Sequence, residues 1–211
     1  MQNIDRLLPI LTGQPVIPVV AVDTADEGVN LARALAAGGL RAIEVTMRTP
    51  AALDAIAAIV ADVPDAICGA GTILNPDHYK AAVKAGSKFI VSPGATVELL
   101  DTARDSEIPF LPGSATPSEL LAMMQEGYEI LKFFPAEQSG GLAYLKALAP
   151  VLQGLKFCPT GGVSPDNAKD YLALPNVICV GGSWVAPKAL IKAGRWDEIT
   201  ALAANAAGMG A

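Results

Sequence analysis

Arg41-Ala42-Ile43-Glu44-Val45-Thr46-Met47-Arg48-Thr49-Pro50, continuing through Leu53, Ile56, Ala57 and Val60, spells one complete strand-to-helix unit. Ile43, Val45 and Met47 alternate with Ala42, Glu44, Thr46 and Arg48, the period of two that an extended strand imposes. The first set suits a layer of helices; the second faces the opposite side, which in a barrel is the axis. Past Thr49-Pro50 the apolar spacing lengthens to about 3.6 residues, the mark of a helix. Threonine there reads as an N-cap, with proline at the first helical position, where its missing N–H costs nothing. Glu44 is then an inward carboxylate in a chain of which only 17% is charged. It needs a partner or a task, and a structural pair with Arg48 is the simplest partner.

The same grammar recurs along the chain. Asn75-Pro76, Thr116-Pro117 and Ser164-Pro165 repeat the cap-proline pair, and Thr24 with Glu27 and Thr116 with Glu119 have capping-box spacing. Gly38-Gly39, Gly86 and Gly127 mark helix ends. Strands are expected over 16–22, 42–46, 66–69, 89–92, 109–111, 130–133, 156–158 and 177–180, each followed by a helical pattern. Such alternation implies α/β architecture with a parallel sheet and helical crossovers. The expectation is a single-domain (β/α)8 TIM barrel over 1–211, with 1–14 as an N-terminal lead-in. An open doubly wound sheet is the alternative, and the strand count favours the barrel.

Composition excludes several classes of function. The net charge of −6 offers no basic stripe for nucleic acid. The uncharged run 7–22 is broken by Pro9, Gly13, Gln14, Pro15 and Pro18 and falls short of the about 20 apolar residues a membrane span needs. Asp5 and Arg6 stand where a secretory signal would be apolar. Cys68, Cys158 and Cys179 form no CxxC pair and read as reduced core thiols of a cytoplasmic protein. The only histidine, His78, falls in the first turn of a helix, so no zinc ligand set assembles, and neither metal nor cofactor is expected.

The chemistry gathers at strand ends. Leu131-Lys132-Phe133-Phe134-Pro135-Ala136-Glu137 sets one lysine in an apolar stretch. Desolvation disfavours the ammonium, and a neutral amine can form a Schiff base with a ketone. A structural ion pair with a nearby carboxylate is the competing reading. Lys156 shares the Lys-Phe-x-Pro context but follows Gln153-Gly154-Leu155, at the start of its strand rather than its catalytic end. Gly69-Ala70-Gly71-Thr72 ends in a hydroxyl on a glycine-flexed turn, and Ser92-Pro93-Gly94 and Pro112-Gly113-Ser114 read as loops that set shape. Pro159-Thr160-Gly161-Gly162 and Gly181-Gly182-Ser183 end the last two strands with paired glycines beside a hydroxyl. Glycine loops in that position turn N–H groups toward an anion, and neither contains a Lys or Arg. Two tight turns that merely require positive φ are the plainer explanation.

In order and spacing these segments, with Trp184 after Ser183, resemble the 2-keto-3-deoxy-6-phosphogluconate aldolases, also called KHG/KDPG aldolases, over about 15–207. The resemblance implies a class I aldolase on a (β/α)8 barrel, assembled as a homotrimer. It would cleave the phosphorylated keto-deoxy acid of the Entner–Doudoroff pathway to pyruvate and glyceraldehyde 3-phosphate, with 4-hydroxy-2-oxoglutarate as a further substrate that many relatives share. It further implies that Lys132 is the Schiff-base lysine and Glu44 the general acid/base. Arg48 and Thr72 would hold the pyruvate carboxylate, Pro93 and Phe134 would line the pocket, and Thr160, Gly161, Gly162, Gly181, Gly182 and Ser183 would take the phosphate. A phosphate-binding barrel isomerase or epimerase, and a non-catalytic sugar-phosphate binding barrel, are the competing functions. The first usually needs a metal or a His/carboxylate pair, and the second has no use for a desolvated lysine opposite a carboxylate.

Overall fold

A computed structural model describes residues 2–210. After a first helix α1 (Ile4–Thr12), parallel strands alternate with helices. β1 (Val16–Val20), β2 (Ala42–Thr46), β3 (Ile67–Gly71), β4 (Ile90–Val91) and β5 (Phe110–Leu111) are followed by β6 (Gly113–Ser114), β7 (Ile130–Phe133), β8 (Lys156–Pro159) and β9 (Val180–Gly182). One sheet runs β5-β4-β3-β2-β1-β9 and another β6-β7-β8. Only Pro112 separates β5 from β6. Before it the chain pairs with β4 (Val91 with Leu111); after it, with β7 (Gly113 with Lys132). Isolated bridges Phe157–Val177 and Thr160–Gly181 link β8 to the segment ending in β9. The sheet is therefore parallel and curled, as the alternation implied.

The strands form because β-branched and apolar residues alternate into two burial layers. Ile43 and Val45 join the core shared with the helices. Ala42 lies on the other side with Ile17, Phe89, Val91, Leu111 and Ile130. The N-terminal lead-in carries α1, whose Leu7 and Leu11 are fully buried in this second cluster and cover it from below. Two buried glutamines flank the helix. Gln2 Nε2 donates to the Phe110 and Ile130 carbonyls while its Oε1 accepts from the Glu129 and Ile130 N–H groups. Gln14 does the same for Val16, Arg41 and Ala42. Each side-chain amide mimics a peptide group and satisfies strand-start N–H and C=O groups that have no ladder partner.

After β1, the helices following the strands are α2 (Ala25–Ala37), α3 (Ala52–Asp62), α4 (Pro76–Lys84) and α5 (Val97–Arg104). They continue with α6 (Pro117–Gln125), α7 (Gly141–Leu148), α8 (Ala168–Leu172), α9 (Lys188–Lys192) and α10 (Trp196–Ala207). Asn75 and Thr116 cap α4 and α6 as expected, the latter with a full capping box. Thr24 accepts from the Glu27 N–H, but Glu27 reaches past the cap to the Asp23 N–H. Two expected caps do not form. The Thr49 hydroxyl donates to the Val22 carbonyl and α3 starts three residues later; Ser164 N–H donates to Asn167 Oδ1 in a turn before α8. The first hydroxyl is taken by a strand-end carbonyl, and the second residue is set back from α8 by that turn. Gly39, Gly86 and Gly127 do close helices at φ of 90°, 98° and 80°. Among the described residues no helix is long and apolar enough to cross a membrane.

Candidate active site

Lys132 on β7 and Glu44 on β2 come from strands far apart in sequence and meet inside the curl. Lys132 Nζ lies 3.2 Å from Glu44 Oε1 and 3.5 Å from Oε2, with only 6% and 4% of the two side chains exposed. Glu44 therefore pairs with Lys132 and not with Arg48. Lys132 Nζ also stands 5.4 Å from the centre of the Phe134 ring, an attractive position for a cation. Lys156, in contrast, is exposed at the start of β8, its Nζ donating to the Pro175 carbonyl at 2.8 Å.

Arg48 is fixed by a relay on the same strand end. Its Nε donates to Thr46 Oγ1 at 2.9 Å, and that hydroxyl donates to the Val20 carbonyl at 2.8 Å. The terminal guanidinium nitrogens stay available, in a planar fork suited to a carboxylate. Thr72, directly after β3, has φ 58°. A β-branched residue in the left-handed region is strained by about 1–3 kcal/mol, and such strain persists where surroundings hold a side chain at a set place. The Ser92-Pro93-Gly94 turn is closed by the Ser92 hydroxyl donating to the Gly94 carbonyl.

The glycines of the motifs have two different causes. Gly69 and Gly71 belong to β3 and not to a turn. A Cβ on Gly69 would run into the Phe89 ring and one on Gly71 into the Glu44 carboxylate. Likewise Gly181 and Gly182 sit in β9, where a Cβ would strike the Thr160 side chain and the Trp184 indole. Gly113 leaves room for the Pro93 carbonyl. These positions need empty space, and the strand ladders run through them. Gly161 and Gly162 are the true turn glycines, with φ of 101° and 78°.

The last two strand ends present free amides. Among the described residues, the N–H groups of Gly161 and Gly162 donate to no protein acceptor, and neither do those of Ser183 and Trp184. A cleft of about 480 Å³ opens beside Ser183 and is lined also by Val20, Arg48, Thr49 and Lys188. Neither loop contains a cation, yet folding brings Arg48 and Lys188 to the same cleft, which the linear spacing concealed. Lys188 Nζ is only 3.9 Å from Asp23 Oδ2, whose principal partner is Lys192 at 2.6 Å. His78 lies in the first turn of α4, its N–H donating to Asn75 Oδ1. Among the described residues no group of three or more His, Cys, Asp or Glu side chains is placed to hold a metal ion.

A parallel α/β sheet thus holds a desolvated lysine against a carboxylate, at strand ends rimmed by amides without protein acceptors. Residues 8–202 match the family model for KDPG and KHG aldolase. The KHG/KDPG aldolase of Escherichia coli K12 is 50% identical over 197 residues, covering 93% of this chain and 92% of that protein. The 2-dehydro-3-deoxy-phosphogluconate aldolase of Dickeya dadantii is 48% identical with the same coverage. The crystal structure of the KDPG aldolase of Legionella pneumophila, with pyruvate captured as a covalent carbinolamine intermediate, superposes with a TM-score of 0.92. It is 44% identical and covers 94% of this chain and 96% of that one. The chain belongs to the KDPG and KHG aldolase family.

Proposed function

We propose that this protein cleaves 2-keto-3-deoxy-6-phosphogluconate to pyruvate and glyceraldehyde 3-phosphate through an imine on Lys132. The contact of Lys132 with Glu44 at 3.2 Å, away from solvent, carries the reading. The amine adds to the C2 ketone and water leaves, giving a protonated imine. As the C4 hydroxyl gives up its proton, the C3–C4 bond breaks and its electron pair flows into the imine, leaving an enamine and releasing the aldehyde. Protonation of the enamine at C3 and addition of water then free pyruvate and the lysine. Glu44, beside the reacting nitrogen, moves the protons, directly or through water. Arg48 and Thr72 hold the carboxylate that fixes which ketone face meets the amine, and Pro93 and Phe134 wall the pocket. Borohydride reduction in the presence of pyruvate, followed by peptide mapping, tests the assignment: the adduct belongs on Lys132. A label on Lys156 would sink it.

The strand pairings support a closed (β/α)8 barrel in one domain, with β5 and β6 as halves of one strand bent at Pro112 and the two bridges completing the ring. The homotrimer and cytoplasmic location implied by the resemblance belong to the same reading. Leu74, Val97 and Leu121 are exposed and available for a subunit contact, and light scattering gives the assembled mass. A phosphate-binding isomerase or a binding-only barrel is disfavoured, since neither uses a lysine buried against a carboxylate.

Thr72→Gly separates strain from function. Removing a left-handed β-branched residue relieves about 1–3 kcal/mol, while glycine costs about 0.5–1 kcal/mol of chain entropy. The melting temperature is expected to hold or rise while KM for both phosphorylated and unphosphorylated keto acids rises. A lower melting temperature with unchanged KM would make Thr72 purely structural.

The free amides of Gly161, Gly162, Ser183 and Trp184, with the Thr160 and Ser183 hydroxyls, make the phosphate subsite. Ser183→Ala is expected to cost about 1.5–3 kcal/mol in kcat/KM for the phosphorylated substrate, the worth of a hydrogen bond to a charged group, and little for 4-hydroxy-2-oxoglutarate. Gly182→Val is expected to be worse, because its side chain meets the Trp184 ring and displaces the loop that carries Ser183. Equal losses on both substrates would mean that these loops shape the fold and do not read phosphate.

A further inference from the structure

Glu137 closes the lysine motif, yet none of the chemistry above uses it. Its surroundings tie it to the other side of the site. The Ala136 N–H donates to the Thr160 carbonyl at 2.8 Å and the Glu137 N–H to the Gly161 carbonyl at 3.0 Å. The Gly162 carbonyl accepts from Asn167 Nδ2 at 3.2 Å. Carbonyls 160, 161 and 162 are thus all occupied, two by the Ala136-Glu137 backbone and one by Asn167, while the Gly161 and Gly162 N–H groups stay free. The Glu137 side chain then crosses Gly162 so closely that a Cβ there would lie 2.6 Å from Glu137 Cγ. Although Glu137 is exposed as a residue, its Oε1 accepts from the hydroxyl of Tyr171, whose ring on α8 is fully buried. Burial and the adjoining Glu137 carboxylate push the Tyr171 phenol well above its usual range, so the hydroxyl stays a donor.

We infer that Glu137 and Tyr171 are a positioning pair that sets the Gly161-Gly162 loop and turns the Glu137 carboxylate away from the anion held there. The inference rests on the phosphate reading of that loop. Without the Tyr171 hydroxyl, a carboxylate one bond from Cγ would swing over the free amides, occupying the donors and repelling a phosphate. Like charges brought together in this way cost enough to matter for binding.

The test measures kcat and KM on the phosphorylated keto-deoxy acid and on 4-hydroxy-2-oxoglutarate, with melting temperatures, for Tyr171→Phe, Glu137→Gln and the double variant. Tyr171→Phe is expected to raise KM for the phosphorylated substrate about tenfold or more, with kcat and the unphosphorylated KM little changed. Glu137→Gln keeps an acceptor for the hydroxyl and carries no charge, so it is expected to stay near the parent. Combined with Tyr171→Phe it is expected to restore most of the lost affinity. A purely structural pair would lower the melting temperature and leave the ratio of the two KM values alone; that result, or a double variant no better than Tyr171→Phe, overturns the inference. A parent enzyme that does not favour the phosphorylated substrate would instead overturn the phosphate reading, and the inference with it.

Discussion

Lys132→Met is expected to lower kcat on the phosphorylated keto-deoxy acid by on the order of 10⁴–10⁶-fold, the scale of loss when a covalent nucleophile is removed. Methionine fills similar space but has no amine, so no imine forms and C–C cleavage would have to proceed through an unassisted carbanion. The substitution also strands the Glu44 carboxylate, which is 4% exposed, and breaking a buried pair costs about 3–5 kcal/mol. Lost activity alone therefore does not separate chemistry from stability. The double variant Lys132→Met/Glu44→Gln removes both charges. It is expected to regain most of the thermal stability, since replacing both partners avoids a lone buried charge, and to remain inactive. Activity returning together with stability would make the pair a structural bridge and place the nucleophile elsewhere.

Glu44→Gln is expected to slow turnover by about 10²–10⁴-fold, the usual worth of a positioned acid/base. Glutamine keeps the length and an oxygen facing Lys132 Nζ, so pyruvate is still trapped by borohydride, though more slowly. Solvent deuterium entering the pyruvate methyl group reports enamine protonation and is expected to slow in parallel. Because Glu44 is the ion partner of Lys132, some thermal stability is lost as well. A kcat equal to that of the parent with a lower melting temperature would leave Glu44 a purely structural role.

Where side-chain period decides the outcome, the sequence was a sound guide. The alternation from Ala42 to Arg48 placed Ile43 and Val45 toward the helices and Glu44 inward, and the structure has them so. The alternation of parallel strands with helices was legible for the same reason. Strand ends were not. Gly69, Gly71, Gly181 and Gly182 looked like turn residues because glycine is commonly chosen for backbone freedom. Here it is chosen for the room it gives Phe89, Glu44, Thr160 and Trp184, and all of these but Trp184 are partners distant in sequence. The Lys132–Glu44 contact spans 88 residues, and Arg48, Ser183 and Lys188 share a cleft only through the curl of the sheet. Thr49 failed as a cap because its hydroxyl serves the Val22 carbonyl, and Ser164 because a turn closed on Asn167 precedes α8. Gln2 and Gln14 carried no sequence signal at all; a glutamine that stitches a strand start looks like any other.

Gln2 makes its hydrogen bonds with Phe110, Glu129 and Ile130 across separations of 108 to 128 residues. None can form until β5 and β7 are in place, and the entropy of closing so long a loop has to be offset first. Docking of the N-terminal helix is therefore a late event in folding, gated by the second half of the chain. Until it happens Phe89, Leu111 and Ile130 have no Leu7 or Leu11 over them, and the underside of the half-assembled sheet is an apolar surface on which chains can stick to one another. The amide side chain at position 2, remote from every reacting atom, thus belongs to the steps that decide how much of this protein reaches its native state instead of aggregating.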